Sequence, residues 1–110
     1  MSELNNATVK MVSDALAGGH YGQTWQDLAA SRVIGTTYTN TTGKPIAVAV
    51  SFRSTSGSAR LIAFVSALVV ADSYTVTTST DTSAFFIVPD GATYYTSSNP
   101  GTLVAWSELR

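Results

Sequence analysis

Few residues of this chain could carry acid–base or nucleophilic chemistry. It has one histidine, His20, seven acidic residues and no cysteine. A catalytic base needs a rigid scaffold and a partner that orients it, whereas His20 directly follows the glycine pair Gly18 and Gly19. We interpret His20 as a polar junction residue, and we predict no enzyme activity and no catalytic residue.

Three aspartates, Asp72, Asp81 and Asp90, recur at regular spacing. That spacing could bring carboxylates together as an acid–base pair or a cation site. Their contexts, ADS, STDTS and PDG, are typical of turns instead, because aspartate bonds its own backbone there. The calcium-loop, phosphate-loop and dinucleotide-binding motifs are missing from the sequence. We therefore predict no metal site and no cofactor.

An adjacent pair of tyrosines, Tyr94 and Tyr95, offers a binding function instead. Neighbouring residues of a strand face opposite sides, so one ring should be core and the other exposed. An exposed ring beside hydroxyl and amide groups suits a sugar. The alternatives are a tyrosine at a subunit interface, and residues that merely close a hairpin at 96–100. Loops at 54–58 and 79–83 are further candidate contacts. The candidate receptor-binding residues are Tyr94, Tyr95, Ser97, Ser98 and Asn99.

A short helix is predicted over residues 6–17, NATVKMVSDALA. An asparagine can cap its start, and the glycine pair at 18–19 ends it. Val9, Val12 and Leu16 share one face at spacings of three and four. A helix this short is marginal alone, so the stripe must pack on the body of the protein or on copies of itself. We assign residues 1–22 to a helical neck and junction.

Residues 23–110 read as a head domain made of strands. The clearest strand is 45–53, in which apolar residues alternate with small or polar ones. A long segment, 60–78, must be divided, and we place breaks at Ser66-Ala67, as a tight hairpin, and at Asp72-Ser73. We interpret Trp25 and Trp106 as structural, with Trp25 at the junction to the neck and Trp106 in the core. The other predicted strands are 31–40, 84–89, 92–98 and 102–109.

Seven to eight short strands separated by short turns predict an all-β antiparallel sandwich with a short N-terminal helix. Only 12% of the residues are charged, whereas Ser and Thr together number 30 of 110. A polar neutral surface or burial in an oligomer would account for this composition. The net charge is −1 and the basic residues are scattered, so no nucleic-acid partner is expected. The longest apolar run, LIAFVSALVVA, is too short to span a bilayer, so we expect no membrane insertion.

Three stretches resemble the C-terminal, distal domain of tail-fibre proteins of tailed bacteriophages and prophages. They are YGQTWQDLAASRVIGTTYTNTTGKPIAVAV, FIVPDGATYYTSS and the ending LVAWSELR, which looks like that family's terminal W-x-E-L-R. The resemblance covers roughly residues 8 to 110. Where the family commonly has an Asn-Gly hairpin turn, this chain has Ser66-Ala67.

The resemblance implies a non-enzymatic domain at the far end of a phage fibre that attaches to the bacterial host surface as a homotrimer. Val9, Val12 and Leu16 would then form the trimer neck. The implied partners are other copies of the chain, other tail-fibre or tail proteins, and a bacterial surface glycan or outer-surface protein. The implied location is the virion tail, assembled in the host cytoplasm.

Two other functions remain open on the sequence. The domain could be a structural trimerisation or assembly cap, or an accessory tail component, with no direct receptor contact. An enzyme such as a polysaccharide depolymerase would need paired acids in a cleft, for which a chain of 110 residues offers little room.

Overall fold

The computed structural model describes residues 22–99 and 101–110. Among these residues no helix is long and apolar enough to cross a membrane. Among the described residues, the complete elements are eight β-strands and one 3-10 helix, Ala29–Ser31. The strands are β1 (Trp25–Asp27), β2 (Tyr38–Thr39), β3 (Ile46–Ser54), β4 (Ala59–Val65), β5 (Leu68–Thr75), β6 (Asp81–Val88), β7 (Thr93–Asn99) and β8 (Gly101–Leu109).

The strands form two four-stranded antiparallel sheets. Sheet A has the order β1-β8-β3-β6, and sheet B has the order β2-β7-β4-β5. This arrangement confirms the all-β class and the antiparallel sandwich predicted from the sequence. The predicted helix 6–17, with the neck residues Val9, Val12 and Leu16, lies outside the described residues, as does His20.

The core lies between the inner faces of the two sheets. It is filled by apolar side chains at alternate positions along the strands. In β3, Ile46, Val48, Val50 and Phe52 are all buried, as the period of two predicts. Sheet B contributes buried apolar side chains from β4 and β7 to the same cluster. Trp106 on β8 is completely buried, which confirms its predicted core position.

The hairpins predicted at Ser66-Ala67 and after Pro89 are both present. Ser66 and Ala67 join β4 to β5 with positive φ values of 50° and 68°, the pattern of a type I′ turn. Asp90 and Gly91 join β6 to β7 after Pro89. Gly91 has φ of 78°, a conformation that glycine adopts without steric cost.

The predicted strand 31–40 is wrong except at Tyr38–Thr39. Local turn bonds form instead: the Ser31 amide donates to the Leu28 carbonyl and the Thr36 amide to the Val33 carbonyl. β-branched residues favour strands only where a neighbouring strand offers a ladder, and these amides bond within their own turns instead.

The predicted break at Asp72-Ser73 is also wrong, because β5 runs through it. Asp72 is in register with Ile62 and Ser73 with Leu61, so β4 supplies continuous ladder partners. Of the three recurring aspartates only Asp90 lies in a turn, where it accepts a 3.0 Å hydrogen bond from the Gly43 amide. Asp72 and Asp81 are strand residues.

Candidate functional site

The outer face of sheet B is a mixed aromatic and polar surface. The inward-facing residues of β4 are buried. The residues that alternate with them point outward, and these are Arg60, Ile62 and Phe64. On β7, Tyr94 and Thr96 face the core, which puts Tyr95 and Ser97 on the outside. We call the set Arg60, Ile62, Phe64, Asp72, Tyr95 and Ser97 the sheet B face.

Two aromatic rings form its centre. Phe64 and Tyr95 are direct partners across the β4–β7 ladder. Their rings stack nearly parallel, with centroids 4.5 Å apart and an interplanar angle of 6°. Both are half-buried, and each supports the other, so the pair presents a preformed apolar platform. Val69 on β5 is in register with Phe64 and extends this row.

Polar groups occupy the next rows of the same face. Arg60 donates two hydrogen bonds to the carboxylate of Asp72, one of 2.9 Å from Nε to Oδ1. The hydrogen bond from Arg60 lowers the pKa of Asp72, so this carboxylate is ionised at neutral pH. Ser97 is exposed, and Ile62 lies opposite it in the ladder. Hydroxyl, carboxylate and guanidinium groups therefore surround the apolar platform.

The structure does not bring the predicted receptor-binding residues to one surface. Tyr94 is the core member of the pair, 1% exposed, so it cannot contact a receptor, whereas Tyr95 is the partly exposed one. Ser98 shares the inner side of β7 with Tyr94 and lines a shallow depression beside Arg32. The predicted 96–100 loop is wrong: β7 continues to Asn99, which pairs with Arg60 of β4.

A second polar site, which the sequence did not predict, lies between the sheets. Glu108 on β8 is completely buried. Its Oε2 accepts hydrogen bonds of 2.9 Å from the Tyr94 hydroxyl, 2.9 Å from the Trp106 indole and 3.0 Å from Arg32 Nε. Its Oε1 accepts bonds of 3.3 Å from Arg32 Nη2 and 3.0 Å from Arg110 Nη1. Every oxygen of the carboxylate is therefore bound by protein donors.

These contacts set the protonation of the buried groups. Burial alone would raise the pKa of Glu108, but hydrogen bonds from Arg32, Trp106 and Tyr94 lower it below its usual value. Burial and the hydrogen bond to Glu108 raise the pKa of Tyr94 to about 12. Glu108 is thus an anion and Tyr94 a neutral donor at neutral pH.

The buried carboxylate also fixes the segment between β1 and β2. The Arg32 guanidinium carbon lies 4.6 Å from the centroid of the Tyr38 ring. The Tyr38 hydroxyl accepts a 2.8 Å hydrogen bond from the Val33 amide, and its ring meets Trp106 edge-on at 6.0 Å. Arg32 therefore couples an irregular segment to the core through charge and ring contacts.

Glu108 has the structural features of an anchor and lacks those of a catalytic acid. A catalytic carboxylate must reach the proton that it moves, and Glu108 has no exposed surface. The sequence carried a usable signal: Trp106 and Glu108 are two apart in a strand, so they share a face. An acid on the face of a core tryptophan must find buried donors, and Arg32 and Arg110 are among the donors here.

A third surface, the outer face of sheet A, is apolar. Trp25, Phe85 and Ile87 are 47%, 60% and 53% exposed. The rings of Trp25 and Phe85 lie 6.4 Å apart between centroids. Trp25 was predicted to join the neck to the head; its described contacts are with the head, and the neck lies outside the described residues.

Within residues 22–99 and 101–110, no three His, Cys, Asp or Glu residues are close enough to hold a metal ion. The chain matches no family model, no curated protein and no solved structure.

Proposed function

We propose that this chain is the distal domain of a phage tail fibre, a non-enzymatic homotrimer that attaches to a glycan on the bacterial host surface. The observation that carries the binding role is the preformed stack of Phe64 and Tyr95 on an exposed sheet face. The sequence resemblance supports the phage context, and the short, charge-poor chain is consistent with assembly into a larger particle.

The sheet B face has the chemistry to hold a sugar. The C–H face of a pyranose would lie against the edge and free face of the aromatic pair, which removes apolar surface from water. Residues two apart on a strand are separated by about 7 Å, so hydroxyls of a sugar in the aromatic row reach the next row. In that row Asp72 accepts and Ser97 both donates and accepts. The Arg60 guanidinium, a donor, reaches Asp72 from the row beyond.

A single shallow site of this kind binds weakly, because a flat face buries little of the ligand. Three copies on one homotrimer would bind a repetitive surface polymer with much greater avidity, without any new contact. In this proposal the partners are other copies of the chain, other tail-fibre or tail proteins and the host surface, and the location is the virion tail. An outer-surface protein is the other receptor class.

The test is binding of the purified full chain to bacterial cells before and after enzymatic removal of surface polysaccharide. Tyr95→Ala should lower binding at least about tenfold, because it removes the apolar platform. Val33→Ala is a matched control, since Val33 is also an exposed apolar residue but lies away from the sheet B face. Equal binding by a folded Tyr95→Ala variant and the wild type would refute this site.

The second candidate function is a structural assembly cap or accessory tail component without receptor contact. The apolar outer face of sheet A favours it, because exposed apolar patches mark association surfaces. The two functions separate cleanly in the cell-binding assay: a cap assembles but leaves bacteria unbound.

A further inference from the structure

The outer face of sheet A carries two parallel rows of side chains set by the strand register. In the first row, Trp25 pairs with Leu109, Leu109 with Ala47, and Ala47 with Ile87. Strands β8 and β3 lie between β1 and β6. For the rings of Trp25 and Phe85 to meet at 6.4 Å, both must lean across the small residues between them. Ala47 is accordingly only 6% exposed although it faces outward.

In these two rows Asp27 is the one charged residue, whereas the sheet B face carries both Arg60 and Asp72. The second row runs from Phe85 through Ala49 and Ser107 to Asp27. Asp27 stands at the end of the row, where its carboxylate accepts a hydrogen bond from the Ala29 amide. A flat surface of aromatic and branched side chains, with small residues between them, is typical of an association surface.

The place where the chain enters the head domain favours a second copy of the chain as the partner that covers this face. Twenty-one residues precede Gly22, and Trp25, the first strand residue, belongs to the apolar row. In the proposed homotrimer, on which this step rests, Val9, Val12 and Leu16 form the neck that the resemblance implies. Copies joined there would bring their heads together at the end of the row where Trp25 and Leu109 lie.

We propose that the outer face of sheet A, centred on Trp25, Phe85 and Ile87, packs against a second copy of the chain. This inference deepens the proposed homotrimer by naming its head interface, and it is independent of the proposed receptor. In the homotrimer, the three copies would turn this face towards their common axis. Each copy would remove three large apolar side chains from water, in the aromatic-rich composition typical of interface centres.

The experiment uses the absence of cysteine from the chain. Ile87→Cys places one thiol on this face, and Val69→Cys places a control thiol on sheet B, where Val69 is similarly exposed at 57%. Maleimide labelling rates of both full-length variants would be measured together with their masses by sedimentation. We expect an assembled mass and at least about tenfold slower labelling of Cys at 87 than at 69, as burial at an interface requires.

Phe85→Asp, introduced into the Ile87→Cys chain, tests the cause of that protection. A buried unpaired charge opposes association, so the head interface should open and labelling at 87 should reach the rate at 69, even where the neck keeps the copies joined. Three outcomes would overturn the inference. The first is an assembled protein with freely labelled position 87, which leaves the homotrimer standing but removes this interface. The second is a monomer in which position 87 is protected, which would assign the face to the chain's own N-terminal residues. The third is a Phe85→Asp variant in which position 87 stays as protected from maleimide as it is without that substitution.

Discussion

Replacing Glu108 by glutamine should destabilise the fold strongly although the side chain keeps its shape. Glutamine has one oxygen, and that oxygen can still serve the donors that now share Oε2, from Tyr94, Trp106 and Arg32. The amide nitrogen would then stand at the Oε1 position. There it faces Nη2 of Arg32 and Nη1 of Arg110, which are donors themselves.

The magnitude follows from the two charge-assisted bonds that are lost. Each is worth about 1.5–3 kcal/mol. The side chains of Arg32 and Arg110 are 14% and 23% exposed, so water recovers part of that free energy. We expect a loss of about 3 kcal/mol in the free energy of unfolding, which corresponds to a fall in Tm of about 10–20 °C for a domain of this size.

The assay is urea unfolding followed by tryptophan fluorescence, at one fixed protein concentration because association adds to apparent stability. Asp81→Asn is the matched control: it makes the same acid-to-amide change in an ion pair with Arg53 whose members are both about half exposed. Ion pairs on the surface are screened by water and contribute little to the free energy of unfolding. The urea midpoint of Asp81→Asn should therefore stay close to that of the wild type. A Glu108→Gln variant no less stable than Asp81→Asn would refute the role given to the buried carboxylate.

Further predictions concern pH and backbone packing. Hydrogen bonds hold the pKa of Glu108 in the folded protein below its unfolded value of about 4.3. The stabilisation that ionised Glu108 provides is therefore complete above that pH and is lost as the pH falls through the folded pKa. Urea midpoints measured from about pH 6 to about pH 2 should fall less steeply for Glu108→Gln than for the wild type. Gly101→Ala would place a Cβ in contact with the Phe52 ring and 2.7 Å from the Arg53 carbonyl oxygen. It should cost about 1–3 kcal/mol by overpacking, and Phe52→Leu should rescue only the part due to the ring, as measured in a double-mutant cycle. Replacing Ser66-Ala67 by Asn-Gly should stabilise the β4–β5 hairpin by about 1–2 kcal/mol, since both positions have positive φ; a lower urea midpoint would contradict the turn geometry.

The sequence predicted those parts of the fold in which local chemistry and tertiary contacts agree. The alternation of β3 places Ile46, Val48, Val50 and Phe52 inside without help from other strands. Ser66-Ala67 was predicted as a hairpin from its place in a long apolar segment, and the positive φ angles show that the tight connection decides the turn even without Asn-Gly.

Other parts of the fold depend on which neighbouring strands a segment packs beside. Residues 31–37 have strand composition, but the Ser31 and Thr36 amides bond within their own turns, and only the Gly35 amide bonds to β7, at Thr96. In contrast, β7 extends to Asn99 because β4 lies beside it. For the candidate site, the pattern predicted that one of Tyr94 and Tyr95 is buried but could not say which one. The stacking of Phe64 on Tyr95 depends on the β4–β7 register, which no local pattern specifies.

The most direct test of the central claim is to measure the binding of the full-length protein to an array of bacterial lipopolysaccharide and capsular glycans, for the wild type and the Tyr95→Ala variant. The proposed function predicts that the wild type binds at least one bacterial surface glycan and that Tyr95→Ala weakens this binding at least about tenfold while its mass and urea midpoint stay unchanged. Binding that survives the loss of the Tyr95 ring, or a wild-type protein that binds no bacterial glycan, would contradict the account.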